Sequence, residues 1–430
     1  MTQDQQHITL PYGNGALEAD VPWADVIGVL DVAEGPPLGD IGAAFTHALE
    51  HPIGQAQPLR ETVRPGDVVT IIVSDSFRKT GIHHLLPQLL RVLTSAGVRE
   101  EDIRFLFATG THRGPTPEEA AEILGEDLYA RFHARAFSHD PHDEAGLVYL
   151  GTTSRGTPVK LNRLAVETDR VIVTGAVVLH YFGGFGGGRK AILPGVAGVE
   201  TIAANHARNL HPREDTLNPD VEIGRLAGNP VAEDMAEGAA FCRCDLLINT
   251  VLDRHGKIAG IHCGDLVEAH AAACQQAHAL FAVPIAQRAD LVVATAGSAK
   301  NWVQSHKALF NAYQAVKPGG RIVMAAQAPE GFGGNKFGQW VALGSREAII
   351  AELRRNAEIN GQTALSTLEK AAITDFVTEL SEADVALMGG RRADTLQQAI
   401  DHARTELQRA GVEQPTCYVM PAASYTVPMP

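Results

Sequence analysis

Between residues 183 and 188 five of six positions are glycine, inside the stretch GAVVLHYFGGFGGGRKAILPGVAGVETIAANHA that runs from Gly175 to Ala207. A run of this density is excluded from helix and strand interiors, where glycine forfeits too much backbone entropy, and suits a loop whose main chain must come close to a ligand. An apolar run, 171–179, leads into it; Pro194 and Gly195 come after it, and then a helix-like segment containing Ile202 and His206. Strand, glycine loop and helix in that order form the usual anion-binding turn of α/β proteins, since loop N–H groups and a helix N-terminus both favour negative charge. The stretch therefore predicts an α/β fold with a functional loop at a strand's carboxyl end, and it gathers His180, Lys190 and His206 around the glycines.

Two common glycine loops do not fit. A Walker-type loop needs Ser or Thr after its lysine to bind magnesium, and here the order is Gly188, Arg189, Lys190, Ala191. The dinucleotide fingerprint in its G-x-G-x-x-A form matches Gly186, Gly188 and Ala191. It should lead through a helix to a second strand ending in an acidic residue about 20 positions on. The chain instead continues with Pro194, a short helix and the polar run 209–220.

The rest of the chain supplies more loops of the same kind. A turn at Arg64-Pro-Gly-Asp feeds a buried strand, 68–73, that ends in Ser74-Asp75-Ser76-Phe77-Arg78. At the carboxyl end of a strand, Arg78 suits a two-pronged clamp on a carboxylate, and Asp75 suits orienting a histidine, accepting from a ribose hydroxyl or capping a helix. Leu85, Leu86, Leu89, Leu90 and Leu93 form the core stripe of a helix, and the next strand, 103–108, ends in Thr109-Gly110-Thr111-His112-Arg113. His112 is thereby set at the sheet edge expected for Ser74 to Arg78, while Thr116-Pro-Glu-Glu starts the next helix. His133, His139 and His142 read as a solvated loop without a role. Further on, 245–252 is a buried strand, a second α/β unit starts near Phe281, a strand is expected near Val385, and 417–420 is expected to return as a strand to the first unit.

Composition sets the remaining bounds. With 36 Lys and Arg against 50 Asp and Glu the formal net charge is −14, which argues against a nucleic-acid partner. The polar start, 1–7, has no apolar signal segment, and no apolar run approaches the roughly 18 residues of a membrane span, so a cytoplasmic protein with no membrane partner is expected. Five cysteines suit reduced thiols, and the Cys242/Cys244 pair lacks the second pair of a structural metal site.

Taken together, SDSFR, ATGTHRG, HYFGGFGGGRKAILPG with its downstream NHA, and QSHK resemble the lactate racemase family over almost the whole chain. The resemblance implies a nickel-pincer nucleotide cofactor joined covalently to Lys190 through a thioamide, His206 as the protein ligand to nickel, and His112 and His180 as the two acid/base catalysts. It implies that Arg78, Gln304 and Lys307 surround the substrate carboxylate and hydroxyl. Asp75, in its first motif, is an expected cofactor-binding residue together with Ser74 and the amides of Gly186, Gly187 and Gly188, the last four as hosts for the nucleotide.

The implied activity is inversion of a small anionic 2-hydroxy acid: a hydride passes to a cofactor carbon bonded to nickel, leaves a 2-keto acid, and returns to the opposite face. Two imidazoles suit this, since a pKa of about 6.5 lets either accept or donate a proton near neutrality. Cofactor-making enzymes are the implied protein partners. A chain that kept the loop and lost turnover would be a cofactor-binding protein that attaches the group without racemising anything. The departures from the family pattern are Phe77 for a small hydroxyl residue, Arg189 for a small one, and Val303 for an aromatic, with His306 as an added cation; they leave lactate, malate, longer aliphatic or aromatic acids and sugar acids open. The architecture expected is two Rossmann-like α/β lobes with mainly parallel sheets facing each other across a cleft. The expected domains are 1–278, cofactor-binding and catalytic and joined by 414–430, and 279–413, closing over the substrate.

Overall fold

The computed structural model describes residues 7–32, 35, 38–55 and 57–429; most of the polar start, 1–6, lies outside them. The chain divides into two compact units, one of residues 34–212 with 217–280, the other of 1–33, 213–216 and 281–430. Each is built on a six-stranded, mainly parallel sheet.

In the 34–280 unit the sheet runs, from edge to edge, Ile258–Gly264, Leu246–Leu252, Arg170–Ala176, Val69–Ser74, Ile103–Ala108, Ala136–Ser138. Its pairings are parallel except the first, where Leu246–Leu252 and Ile258–Gly264 run antiparallel. The continuous apolar runs have the cause expected of parallel strands covered on both faces: all six residues of Val69–Ser74 are buried. The helix Leu86–Ser95 lays Leu86, Leu89, Leu90 and Leu93 on the core with Phe105, Phe107 and Phe132. Thr116 closes a capping box with Glu119, and Pro117 opens the helix Pro117–Leu124.

The second unit's sheet, Arg391–Ala393, Thr374–Val377, Val316–Ala325, Ala289–Thr295, Thr416–Met420, Asp25–Val29, is parallel throughout. Three expectations are corrected here. Thr416–Met420 does not return to the first unit: it pairs with Ala289–Thr295 and Asp25–Val29, so the N-terminal 1–33 and the C-terminal segment both belong to the 281–430 unit. Strand pairing between segments remote in sequence decides this, and no local pattern records it. The strand expected near Val385 is the helix Glu382–Leu387, capped by Ser381, and the strands are its neighbours on either side. Val385 is buried because that helix turns it inward.

Candidate functional site

The loops that carry the expected residues of the 34–280 unit leave the carboxyl ends of three adjacent strands. Val69–Ser74 lies in the middle, with Ile103–Ala108 on one side and Arg170–Ala176 on the other. Ser74 and Asp75 are buried at the end of the middle strand. Asp75 Oδ2 lies 2.7 Å from Nδ1 of His112, which arrives on the loop after Ile103–Ala108, and its Oδ1 accepts from the Phe77 N–H at 3.2 Å. Arg78 is exposed next to them.

The glycine stretch comes after Arg170–Ala176 and holds the second group. It opens as a tight antiparallel hairpin, Leu179–His180 with Gly184–Phe185, rather than as one open loop. His180 Nδ1 lies 3.2 Å from the Gly183 N–H and 3.4 Å from that of Phe182. Phe182 is the hub: its ring centroid is 4.5 Å from that of His180, 4.9 Å from that of His206 and 4.9 Å from Lys190 Nζ. A Cβ on Gly183 would stand 3.2 Å from Lys190 Nζ, so glycine there leaves the lysine its room. His206, at the end of the helix Val199–His206, is buried, and burial followed by the Lys190 charge lowers its pKa to about 3. The ring is therefore neutral, the form in which imidazole binds a metal. A direct bond ties the two histidine loops, with Gly110 N–H donating to the Gly195 carbonyl at 2.9 Å.

Hydrogen bonding gives the two candidate acid/base rings opposite polarity. A carboxylate at Nδ1 places a proton there on His112, so its neutral ring presents a lone pair at Nε2. Two N–H donors at Nδ1 make that atom the acceptor in His180, so its neutral ring carries the proton at Nε2.

The expected phosphate cradle at Gly186 and Gly188 is corrected. The Gly186 N–H donates to the Val178 carbonyl and the Gly188 N–H to Asn249 Oδ1, at 2.8 and 3.1 Å, so neither is aimed at an anion. Their glycines serve packing: at Gly188, with φ +49°, a Cβ would sit 2.5 Å from Cγ of His270. Gly187 remains partly exposed. His306 is corrected too: it is buried against Ser366 Oγ at 3.0 Å, and burial with the charges of Lys370 and Lys307 lowers its pKa to about 3, so it is not a cation. His139, read as solvated, is buried and bridges loops, with Nε2 2.9 Å from the Ala197 carbonyl and its own carbonyl accepting from Thr109 Oγ1 at 2.7 Å. Gln304 and Lys307 are exposed on the first turns of Trp302–Ala315, in the other unit. A cavity of about 590 Å³ lined by Tyr313, Ser345, Arg346 and Glu369 also lies in that unit and contains none of the expected residues.

Several supporting residues gave little sign in the sequence. Asp234, wholly buried on the helix Pro230–Ala239, accepts from Thr153 Oγ1, Thr157 Oγ1 and Asn205 Nδ2 at 2.6, 2.8 and 2.8 Å, and Arg208 Nε stands 3.1 Å away. Asn205 and Arg208 flank His206, so this one carboxylate fixes the helix end that carries the ring. Burial opposes its charge, but the Thr153, Asn205 and Thr157 hydrogen bonds and Arg208 outweigh it and lower its pKa. Arg189 is buried, donating to the Gly183 carbonyl at 2.7 Å and the Ala232 carbonyl at 3.3 Å. Asn249 was the most legible, a polar residue inside the apolar strand Leu246–Leu252.

Among the described residues no three His, Cys, Asp or Glu side chains are grouped to hold a metal, so a metal at His206 would need donors brought by another group. That fits a cofactor supplying its own donors and tethered at the adjacent Lys190. Cys242 and Cys244 are free, and burial first of all raises both thiol pKa values, Cys242 to about 12.

Residues 12–217 match the family model of the lactate racemase N-terminal domain. The chain is 32% identical over 339 residues to lactate racemase of Thermoanaerobacterium thermosaccharolyticum, covering 78% of this chain and 77% of that protein. It is 36% identical over 335 residues to lactate racemase of Lactiplantibacillus plantarum, at 77% of each. The structure of the Thermoanaerobacterium lactate racemase apoprotein superposes with a TM-score of 0.87 at 28% identity, over 99% of this chain and 100% of that one. A Thermotoga maritima protein, at 17% identity and a TM-score of 0.65 over 91% of this chain and 99% of its own, shares the fold. With both racemase relatives more than 30% identical over most of each chain, and the same fold along nearly its whole length, this chain belongs to the lactate racemase family of isomerases.

Proposed function

We propose that the chain is a 2-hydroxyacid racemase or epimerase that inverts C2 by proton-coupled hydride transfer through a 2-keto acid, with a nickel-pincer nucleotide attached at Lys190. The observation that carries this reading is the pair of imidazoles of opposite polarity, His112 and His180, on loops that flank the same central strand. Inversion needs proton exchange with the hydroxyl of either enantiomer, and one ring serves each.

His112 Nε2 accepts the hydroxyl proton of one enantiomer, and the Asp75 carboxylate stabilises the imidazolium that forms. His180 Nε2 faces the other enantiomer's oxygen: as imidazolium the ring delivers a proton there, as neutral imidazole it takes one back in the reverse direction, and both rings reset their protons with solvent between turnovers. Arg78 holds the substrate carboxylate. When bound, the cofactor supplies the hydride acceptor and donor. Lys190 would hold it covalently, His206 would ligate its nickel, and Phe182 packs between them. Ser74 and Gly187 are the hosts proposed for its nucleotide part.

Co-production with cofactor-making enzymes tests this. Intact mass should show an adduct on the wild-type chain and none on Lys190→Ala; an unmodified wild type, or an adduct that survives the substitution, rejects the tether. His206→Ala should lose nickel, whereas His112→Ala and His180→Ala should keep nickel and lose racemisation by at least about a hundredfold.

A further inference from the structure

Phe77 is 55% exposed, one of the large apolar side chains the fold leaves in solvent. Isolated exposed aromatics are ordinary on protein surfaces, but this one is built into the site. Its ring centroid stands 4.8 Å from that of His112, tilted by 57°. Its backbone N–H donates to Asp75 Oδ1 while the other oxygen of that carboxylate holds His112. One buried carboxylate thus sets the aromatic ring and the imidazole in register.

A second side chain meets the ring. The guanidinium carbon of Arg113 lies 5.4 Å from the Phe77 centroid, an arrangement that restrains the ring. That guanidinium is matched by both oxygens of Glu119, each at 2.6 Å, so the cation is already neutralised and offers little to a second substrate carboxylate. Phe77 therefore gives His112 an apolar, restrained neighbour, with Arg78 exposed one residue further along. A substrate whose hydroxyl reaches His112 Nε2 at roughly 3 Å brings its C3 substituent within reach of the ring.

We propose that Phe77 is a specificity-determining residue that packs against the C3 substituent of the substrate and selects 2-hydroxy acids with aromatic or large apolar side chains over lactate. This rests on the racemase reading above. Covering the exposed ring with an apolar group removes surface of both from water, which the methyl group of lactate does only slightly.

The test uses the cofactor-loaded protein and compares kcat/KM for lactate, 2-hydroxyisocaproate, phenyllactate and malate, monitored by loss of enantiomeric excess. Wild type should favour phenyllactate over lactate by about tenfold or more, and Phe77→Ser should lower that ratio about tenfold. Phe77→Leu, which keeps an apolar surface, should fall between them. In the same samples, saturation transfer to the phenyl protons of phenyllactate should weaken in Phe77→Ser. An unchanged ratio, an equal loss on every substrate, or a preference for malate overturns the proposal alone. A nickel-loaded wild type inert towards every 2-hydroxy acid overturns the racemase reading and this inference with it.

Discussion

The Asp75 carboxylate decides which nitrogen of His112 faces the substrate. Replacing it with Asn keeps the shape but lets an amide N–H point at Nδ1, which moves the ring proton to Nε2 and removes the charge that supports the imidazolium. Asp75→Asn should therefore lower kcat by a factor of roughly 1,000 to 10,000 with nickel content and thermal unfolding little changed; chiral chromatography from each enantiomer measures it. The sequence placed Asp75 and His112 at one sheet edge, because a buried strand leading into a polar loop is a local pattern. It left the role of Asp75 open between orienting a histidine, accepting from a ribose hydroxyl and capping a helix. The 2.7 Å contact between residues 37 positions apart selects the first.

At the level of the element, the helix Val199–His206 is short and has no side-chain cap at its start. Its position depends on the neighbouring helix Pro230–Ala239 through Asp234. Asp234→Ala removes the carboxylate shared by Arg208, Asn205 and two threonine hydroxyls, at a cost of about 3 kcal/mol or more. Supporting groups of this kind typically govern metal affinity by about 10- to 100-fold. The expected outcome is a lower midpoint in urea together with faster nickel loss from the loaded protein to a chelator; unchanged nickel retention would show that the clamp does not reach His206. Its sequence signal was weak, since one Asp among alanines on a helix reads as a solvent-facing charge. The glycine stretch was far more legible, although its glycines make room for Lys190 and His270 and free fewer amides than a phosphate loop would.

Across the whole molecule, each unit buries a neutral histidine. Burial first, and then Arg189, lowers the pKa of His270 to about 4, and burial with Lys370 and Lys307 lowers that of His306 to about 3. Both folded values lie below the unfolded value of about 6.5, so between them the unfolded chain binds more protons. Stability is therefore full above a pH of about 6.5 and falls as the pH drops from there towards the folded values. At a pH of about 4.5 each histidine should cost on the order of 2 kcal/mol relative to neutral pH. Urea midpoints measured across that range should show the loss, and His306→Asn and His270→Asn should each flatten it; an unaltered slope in both variants would rule out these two rings as the cause.

The amino-acid order was enough for the local elements: the parallel strands from their continuous apolar runs, the leucine-striped helix, the Thr116 cap, and the loops that carry His112, His180 and Lys190 at strand ends. These arise from patterns within about ten residues, where periodicity and turn chemistry act. Everything that depends on distant partners was settled by the folded chain. Folding drew Thr416–Met420 and Asp25–Val29 into one sheet, buried His139 and His306, and set Phe182 between Lys190 and His206. It also gave His112 and His180 opposite polarity, because the tautomer of a histidine is set by the group that meets its Nδ1, and for His112 that group is 37 positions away.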